Sequence, residues 1–400
     1  MEIEKIMRNR KWILLFIVLV GCKKPYNPPV VAASNSYLVV EGVINSGSDS
    51  TIIRLSKTVN LSNNTTFSPV LSAIVTVEGD QNTSYPLASG GKGNYVSRGL
   101  NLDNAHKYRL RIKTSDNKEY LSDFVSVVNP PPIDSIGYTI QNNGLTVYAN
   151  THDPQNNTRY YRWDYQETWQ IHSNYYSYFK SDGTQIQARD VINDNIYDCW
   201  QSDTSSAIIL GSSEKLSQDV IAENPLTFIN SSSEKLSVKY SILAKQYALT
   251  KDAFAFWTNL KKNTQQLGSI FDAQPTEISG NIHCLTNPLE PVVGYLSVGS
   301  VSSRRIFITN QQLPAWATAV AYPDCKLDTF LYKYAVPPTY KDTINQVTLY
   351  LNSKIGKPPY LVAGAIGRPG NPIPIGYTGS TPECVNCTLR GTNKQPAFWR

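Results

Sequence analysis

Methionine is nearly missing from this 400-residue chain, which has two, and histidine occurs only four times. Charged residues are scarce as well, at 17%, so uncharged Asn, Ser, Thr and Gln carry much of the surface. So little methionine beside 25 Tyr and 7 Trp favours extracytoplasmic β-structure over a helical bundle. Lysine and arginine never gather into a basic stripe, which leaves nucleic-acid binding without support. The net charge is +6, but Lys5, Arg8, Arg10 and Lys11 stand against Glu2 and Glu4 in the leader, so the remainder carries a mild +4. No GxSxG, phosphate-binding glycine loop or dinucleotide fingerprint occurs. His106, His152, His172 and His283 are isolated, and no HxxxH or second CxxC could complete a zinc site, so no metal or cofactor is expected. Carboxylate pairs of the glycosidase kind stay open, because their separation is a property of the fold. Arg304-Arg305 reads as a solvated strand end, with anion binding as the alternative.

Long apolar runs are missing too, with one exception. A basic segment ends at Arg10-Lys11, and WILLFIVLV then leads to Leu19-Val20-Gly21-Cys22. The run is too short for a permanent membrane span and reads as a signal peptide over residues 1–21. Leu-Val-Gly-Cys resembles a bacterial lipobox, which would make Cys22 the lipidated first residue of the mature chain. Each buried acyl methylene adds about 0.8 kcal/mol of membrane affinity. Lys23 in place of Asp resembles the outer-membrane sorting pattern. Residues 22–34 form a Pro-containing tether.

From Tyr37 the chain breaks into short alternating segments: SYLVVEGVI, STIIRLSKTV, SAIVTVEG, GNYVSRG and KYRLRIKTS. Such spacing predicts an N-terminal immunoglobulin- or transthyretin-like β-sandwich over 35–130. Tyr108 alternates with Leu110 and Ile112 and should face inward. Pro130, Pro131 and Pro132 cannot sit in a central strand and mark a boundary. The remainder, 131–400, reads as a larger β-rich domain carrying one amphipathic helix near 250–267. Thr250 can cap that helix, Ala253, Phe256, Trp257 and Leu260 share one face, and Gly268 stands where it should stop.

The segment NNTRYYRWDYQETWQIHSNYYSYF is dense in rings. Counting by twos puts Tyr161, Trp163, Tyr165, Glu167, Trp169 and Ile171 on one strand face, predicted to be core. Glu167 is then a charge on an apolar face and needs a partner such as an Arg. Tyr175, Tyr176, Tyr178 and Phe179 lie instead among Ser, Asn and a turn signal. They are the candidate ligand or partner contact, because tyrosines supply contact area at low entropy cost to a glycan, a peptide or a protein.

Beyond Cys22 there are Cys199, Cys284, Cys325, Cys384 and Cys387, which in an oxidising envelope read as disulfide cysteines. An odd number leaves at least one thiol over. Cys384 and Cys387 form a CxxC without the strand-then-helix context of a redox site, so a staple to each other or to Cys325 is expected.

Taken together, DPQNNTRYYRWDYQETW, TKDAFAFWTNLKKNTQQLGSIFD, SGNIHCLTNP, GYLSVGSVSSRRIFI and CTLRGTNKQPAFW resemble, in that order, domain of unknown function 4249, a family of envelope lipoproteins from Bacteroidetes-type bacteria. Members are often encoded beside TonB-dependent receptors. The resemblance therefore implies an outer-membrane-anchored lipoprotein that serves as an accessory or ligand-binding partner of such a receptor in nutrient uptake. It supplies no catalytic residue. Ala397 departs from the acidic residue that members commonly show before the last Phe-Trp. An envelope hydrolase acting on glycans or peptides, or an envelope-assembly lipoprotein, are the alternatives.

Overall fold

Apolar residues at every second position need one buried face, and the alternating segments between Leu38 and Ser126 find it by pairing as strands. In Lys107–Lys113, Tyr108, Leu110 and Ile112 are buried while the four basic residues between and around them point away. The structure, a computed structural model, describes residues 36–59, 67–265, 280–338, 343–352, 359–368 and 371–400. The leader, Cys22, the tether and Gly268 lie outside the described residues. Among the described residues strand accounts for 48% and helix for 10%, the mainly β class that the sequence predicts.

The first body is a curled, eleven-stranded sheet around one core. Its order runs Ile282–Cys284, Glu119–Ser122, Lys107–Lys113, Ile74–Gly79, Ser84–Gly91, Asn94–Ser97, Thr51–Lys57, Leu38–Asn45 and Val298–Gly299, with two short strands off this path. Pairing is antiparallel except for the last, where Ile44 and Asn45 lie parallel to Val298 and Gly299. The chain therefore returns more than 150 residues later to complete this core: Ile282, Cys284, Val292, Leu296 and Val298 are buried beside Leu38, Ile53 and Leu110. Residues 130–132 lie between the last buried residue of this run, Val125, and the first of the next core, Ile133.

The second body packs two sheets face to face. Ile133–Gln141, Gly144–Asp153 and Asp219–Asn230 form one. The other runs Asp198–Thr204, Tyr160–His172, Lys239–Ala248 and Ser302–Thr309, with Ile209–Ser212 also paired to the long strand. Tyr161, Trp163 and Ile171 are fully buried, Glu167 is buried, and Tyr165 and Trp169 are half-buried, so the ring-rich face is core. Trp163 Nε1 donates to Gln246 Oε1 at 2.9 Å, which satisfies its only polar group. Glu167 has Lys235 and Tyr240 as partners rather than an Arg. Lys235 comes from the short helical turn Glu234–Leu236, too far along the chain to be read as a neighbour. Burial, with the Glu167 charge adding to it, pushes the Tyr240 phenol well above its ordinary value, so it donates to that carboxylate at any ordinary pH.

The predicted helix forms over Lys251–Gln265. Thr250 caps it by accepting from the Ala253 N–H at 3.2 Å, and Ala253 and Phe256 are buried. A further three-stranded sheet orders Asp328–Leu331, Asn371–Ser380 and Leu361–Arg368 over Phe330, Leu351, Val362 and Tyr377. The C-terminal tail then runs back to the second body. Trp399 is buried against Phe307 and Trp200 with ring centroids 5.6 and 6.2 Å apart, and Thr392 bridges to Trp200.

Trp163→Ala should therefore cost about 3–5 kcal/mol in urea unfolding, whereas Ile192→Ser, at 84% exposure, should stay within about 0.5 kcal/mol. Glu167→Ala leaves an ammonium and a phenol without their acceptor and should cost about 2–3 kcal/mol by the same measurement.

Candidate functional site

The segment Ser173–Phe179 leaves the long strand without pairing into its sheet, and backbone carbonyls of a bend, a strand and a short helix fix it instead. The Ser173 and Tyr175 N–H groups donate to the carbonyls of Tyr197 and Cys384, each at 3.0 Å, and the Tyr178 N–H donates to the Ala363 carbonyl at 2.9 Å. Ser177 is buried and its hydroxyl donates to the Val362 carbonyl at 2.7 Å. Arg189 Nε reaches the same hydroxyl at 3.2 Å, while its Nη1 lies 3.0 Å from Asp194.

The four predicted contact residues separate under these constraints. Tyr178 is 56% exposed. Tyr175 is half-buried and its hydroxyl donates to the Cys325 carbonyl at 2.9 Å. Phe179 is half-buried edge-on against Tyr377 at 5.4 Å. Tyr176 is half-buried between Tyr178, at 4.5 Å, and Tyr197, at 4.8 Å. Tyr197 in turn stacks on His172 at 4.6 Å. Four rings thus form a ladder, Tyr178–Tyr176–Tyr197–His172, whose outer end is the exposed tyrosine. Its inner end is held because His172 Nε2 lies 2.9 Å from Asp198. Burial, with the Asp198 charge and the neighbouring tyrosines adding, raises the Tyr197 phenol, so it stays neutral and does not repel Asp198.

Tyr197 and His172 are the residues that sequence reasoning left out of this cluster. The antiparallel register that sets His172 opposite Asp198 brings them together. The usable signal was the ring two positions before Cys199 in NIYDCW. Beside the ladder opens a cavity of about 440 Å³, lined in part by His172, Tyr175 and Glu234. Arg390 reaches over Glu234 with Nη1 at 2.8 and 2.9 Å from its two oxygens, tying the tail to the rim.

Two disulfides staple this region. Cys199 bonds Cys387 and Cys325 bonds Cys384, so the two CxxC cysteines go to different partners, one of them the expected Cys325. Cys284 is the buried thiol that the odd count requires, with Sγ 3.3 Å from the Thr286 hydroxyl. Arg304 and Arg305 take up structural contacts. Arg304 Nη1 donates to the Ile133 carbonyl at 3.1 Å, and the Arg305 guanidinium lies 3.6 Å from the Phe398 ring. Among the described residues no group of three His, Cys, Asp or Glu side chains is placed to hold a metal ion.

Cys199→Ser removes a link across 188 residues and should cost about 2–5 kcal/mol in non-reducing urea unfolding, within the range for native staples. Tyr178→Ser, which removes only the exposed outer ring, should leave the same midpoint within about 0.5 kcal/mol.

Comparison with curated proteins finds no match. The family model described as Domain of unknown function (DUF4249) matches residues 23–305, well over half of the chain. That span takes in the first body, the long ring-rich strand and the capped helix, so this protein belongs to the DUF4249 family.

Proposed function

We propose that this protein is a lipid-anchored binding protein of the bacterial outer membrane, held by Cys22, and that it docks on a TonB-dependent receptor as an accessory in nutrient uptake. The observation that carries this reading is the ring ladder ending in exposed Tyr178. Tyr176 and Tyr197 each pack between two other rings at 4.5–4.8 Å, so neither offers a free platform on which a sugar could stack. What remains is a tyrosine whose orientation is set before contact. Such a ring loses little entropy on docking, and protein interfaces concentrate their affinity in residues of this kind. The lipobox-like Leu19–Cys22 favours lipid attachment, and the Pro-containing tether after it would hold the fold away from the membrane. No helix among the described residues is long and apolar enough to cross a membrane.

Recovery of the acylated chain from native outer membranes, followed by co-purification in mild detergent, tests both halves. Mass spectrometry should find acyl groups on Cys22, and a TonB-dependent receptor should co-purify in stoichiometric amount. Tyr178→Ser should reduce that recovery at least fivefold without altering the amount of chain in the membrane. A lone monomer recovered from intact membranes would overturn the docking claim, and an unacylated chain that retains residues 1–21 would overturn the anchor.

A further inference from the structure

A second cavity, of about 460 Å³, shares no lining residue with the ladder or its neighbouring pocket. One wall comes from the first body, with Glu41 on the first strand and Asp49 in the turn that follows it. The other wall is the outer face of the ring-rich sheet. Period-two alternation that turns Tyr161 and Trp163 inward must turn Arg162 and Asp164 outward, and cross-strand pairing sets Tyr247 opposite Arg162 and Lys245 opposite Asp164. Trp257 of the capped helix closes over them.

Arg162 is the centre of this wall. Its side chain is 13% exposed, and its guanidinium lies 4.3 Å from the Trp257 ring centroid and 4.7 Å from that of Tyr247. Burial, with the Asp164 charge next, pushes the Tyr247 phenol up to about 12, so the ring beside the cation stays neutral. Nη2 donates to Asp164 at 3.2 Å, and Nε is buried without a hydrogen-bond partner among the described residues. A guanidinium carries five donors in a fixed fork suited to a carboxylate; Asp164 and the Tyr247 hydroxyl take part of that capacity here, and the neighbouring rings hold the group in place. Lys245 makes no ion pair among the described residues, which leaves a second cation on the same wall. The facing wall is acidic and equally unmatched: Glu41 has only a 4.0 Å contact to Arg54, and Asp49 pairs with no cation among the described residues.

Gly42 lines the floor between the walls. Its φ is +135°, and a Cβ there would lie 2.3 Å from the Ile52 carbonyl oxygen, so no other residue fits without moving the neighbouring strand. A cavity of this volume falls within the range of small-molecule sites, about 300–1,000 Å³, and has room for a short peptide.

We propose that this cleft binds the zwitterionic backbone of a short peptide, with the terminal carboxylate on Arg162 and Lys245 and the terminal ammonium on Glu41 and Asp49. Arg162 and Lys245 outnumber Asp164 on one wall, and Glu41 and Asp49 make the other acidic, so the two walls match the two ends of such a ligand. An anionic sugar would meet only one wall favourably. The binding would be independent of receptor docking, since the two surfaces have no residue in common.

Calorimetry on the full acylated chain in detergent at low ionic strength would use Ala-Ala-Ala, its C-terminal amide, its N-acetyl form and galacturonate. The free tripeptide should bind, and either blocking group should weaken it at least tenfold. Arg162→Gln should weaken the free and acetylated peptides at least tenfold and leave the amide unchanged. Glu41→Gln with Asp49→Asn, both exposed, should weaken the free peptide and the amide and leave the acetylated form unchanged. That pair keeps the test decisive even if Arg162→Gln fails to fold. Equal affinity for all three peptides, no detectable binding of Ala-Ala-Ala, or galacturonate binding as tightly as the tripeptide would each overturn the proposal. Loss of peptide binding with receptor recovery intact would refute the cleft alone.

Discussion

The strand Tyr160–His172 is hydrogen-bonded along both edges, and that double pairing fixes the direction of every side chain it carries. One edge meets Lys239–Ala248 without a break from Tyr161 to Gln170. The other meets Ile209–Ser212 at its start and Asp198–Thr204 at its end. A slip of one residue against either neighbour would exchange the two faces of the strand. Trp163 would move to solvent and Arg162 into the core, where an unpaired guanidinium is far more costly than a lost ring contact. The core rings, the cleft cation and the inner end of the ring ladder therefore all rest on one register.

The same strand links the two candidate surfaces without mixing them. Arg162 and Asp164 near its start face the cleft, and His172 at its end supports Tyr197. Both surfaces are preformed, since their key groups are held by contacts already present in the free chain: the Tyr247 and Trp257 rings at Arg162, and backbone carbonyls around Ser173–Tyr178. Preformed groups lose little freedom on binding, which suits recognition by a protein tethered at a surface.

The sequence was most informative where a local rule decides the outcome. Alternation alone placed Tyr161, Trp163 and Ile171 inside, and capping chemistry alone placed the helix start at Thr250. It was silent where distant segments meet. Nothing near Ile282–Val298 announces that these residues fill the core built by Leu38–Val125. Glu167 announced its need for a cation but could not name Lys235, 68 residues away. The contact patch was legible as a segment and not as individual residues. Tyr175 and Phe179 are held down by the stapled tail and by Tyr377, contacts fixed by tertiary structure, so Tyr178 remains as the exposed ring. The cleft was unreadable because its two walls are separated by more than a hundred residues, although the outward placement of Arg162 and Asp164 follows from the same alternation that buried their neighbours.

Native-state hydrogen exchange on the acylated chain tests the register most directly. Amides from Tyr161 to Ile171 should be among the slowest in the molecule and should exchange only through global unfolding. Their slope with denaturant should then match that of the whole protein. Exchange of this strand through local opening, at rates typical of the surface loops, would show that its pairing is not the constraint on which both surfaces depend.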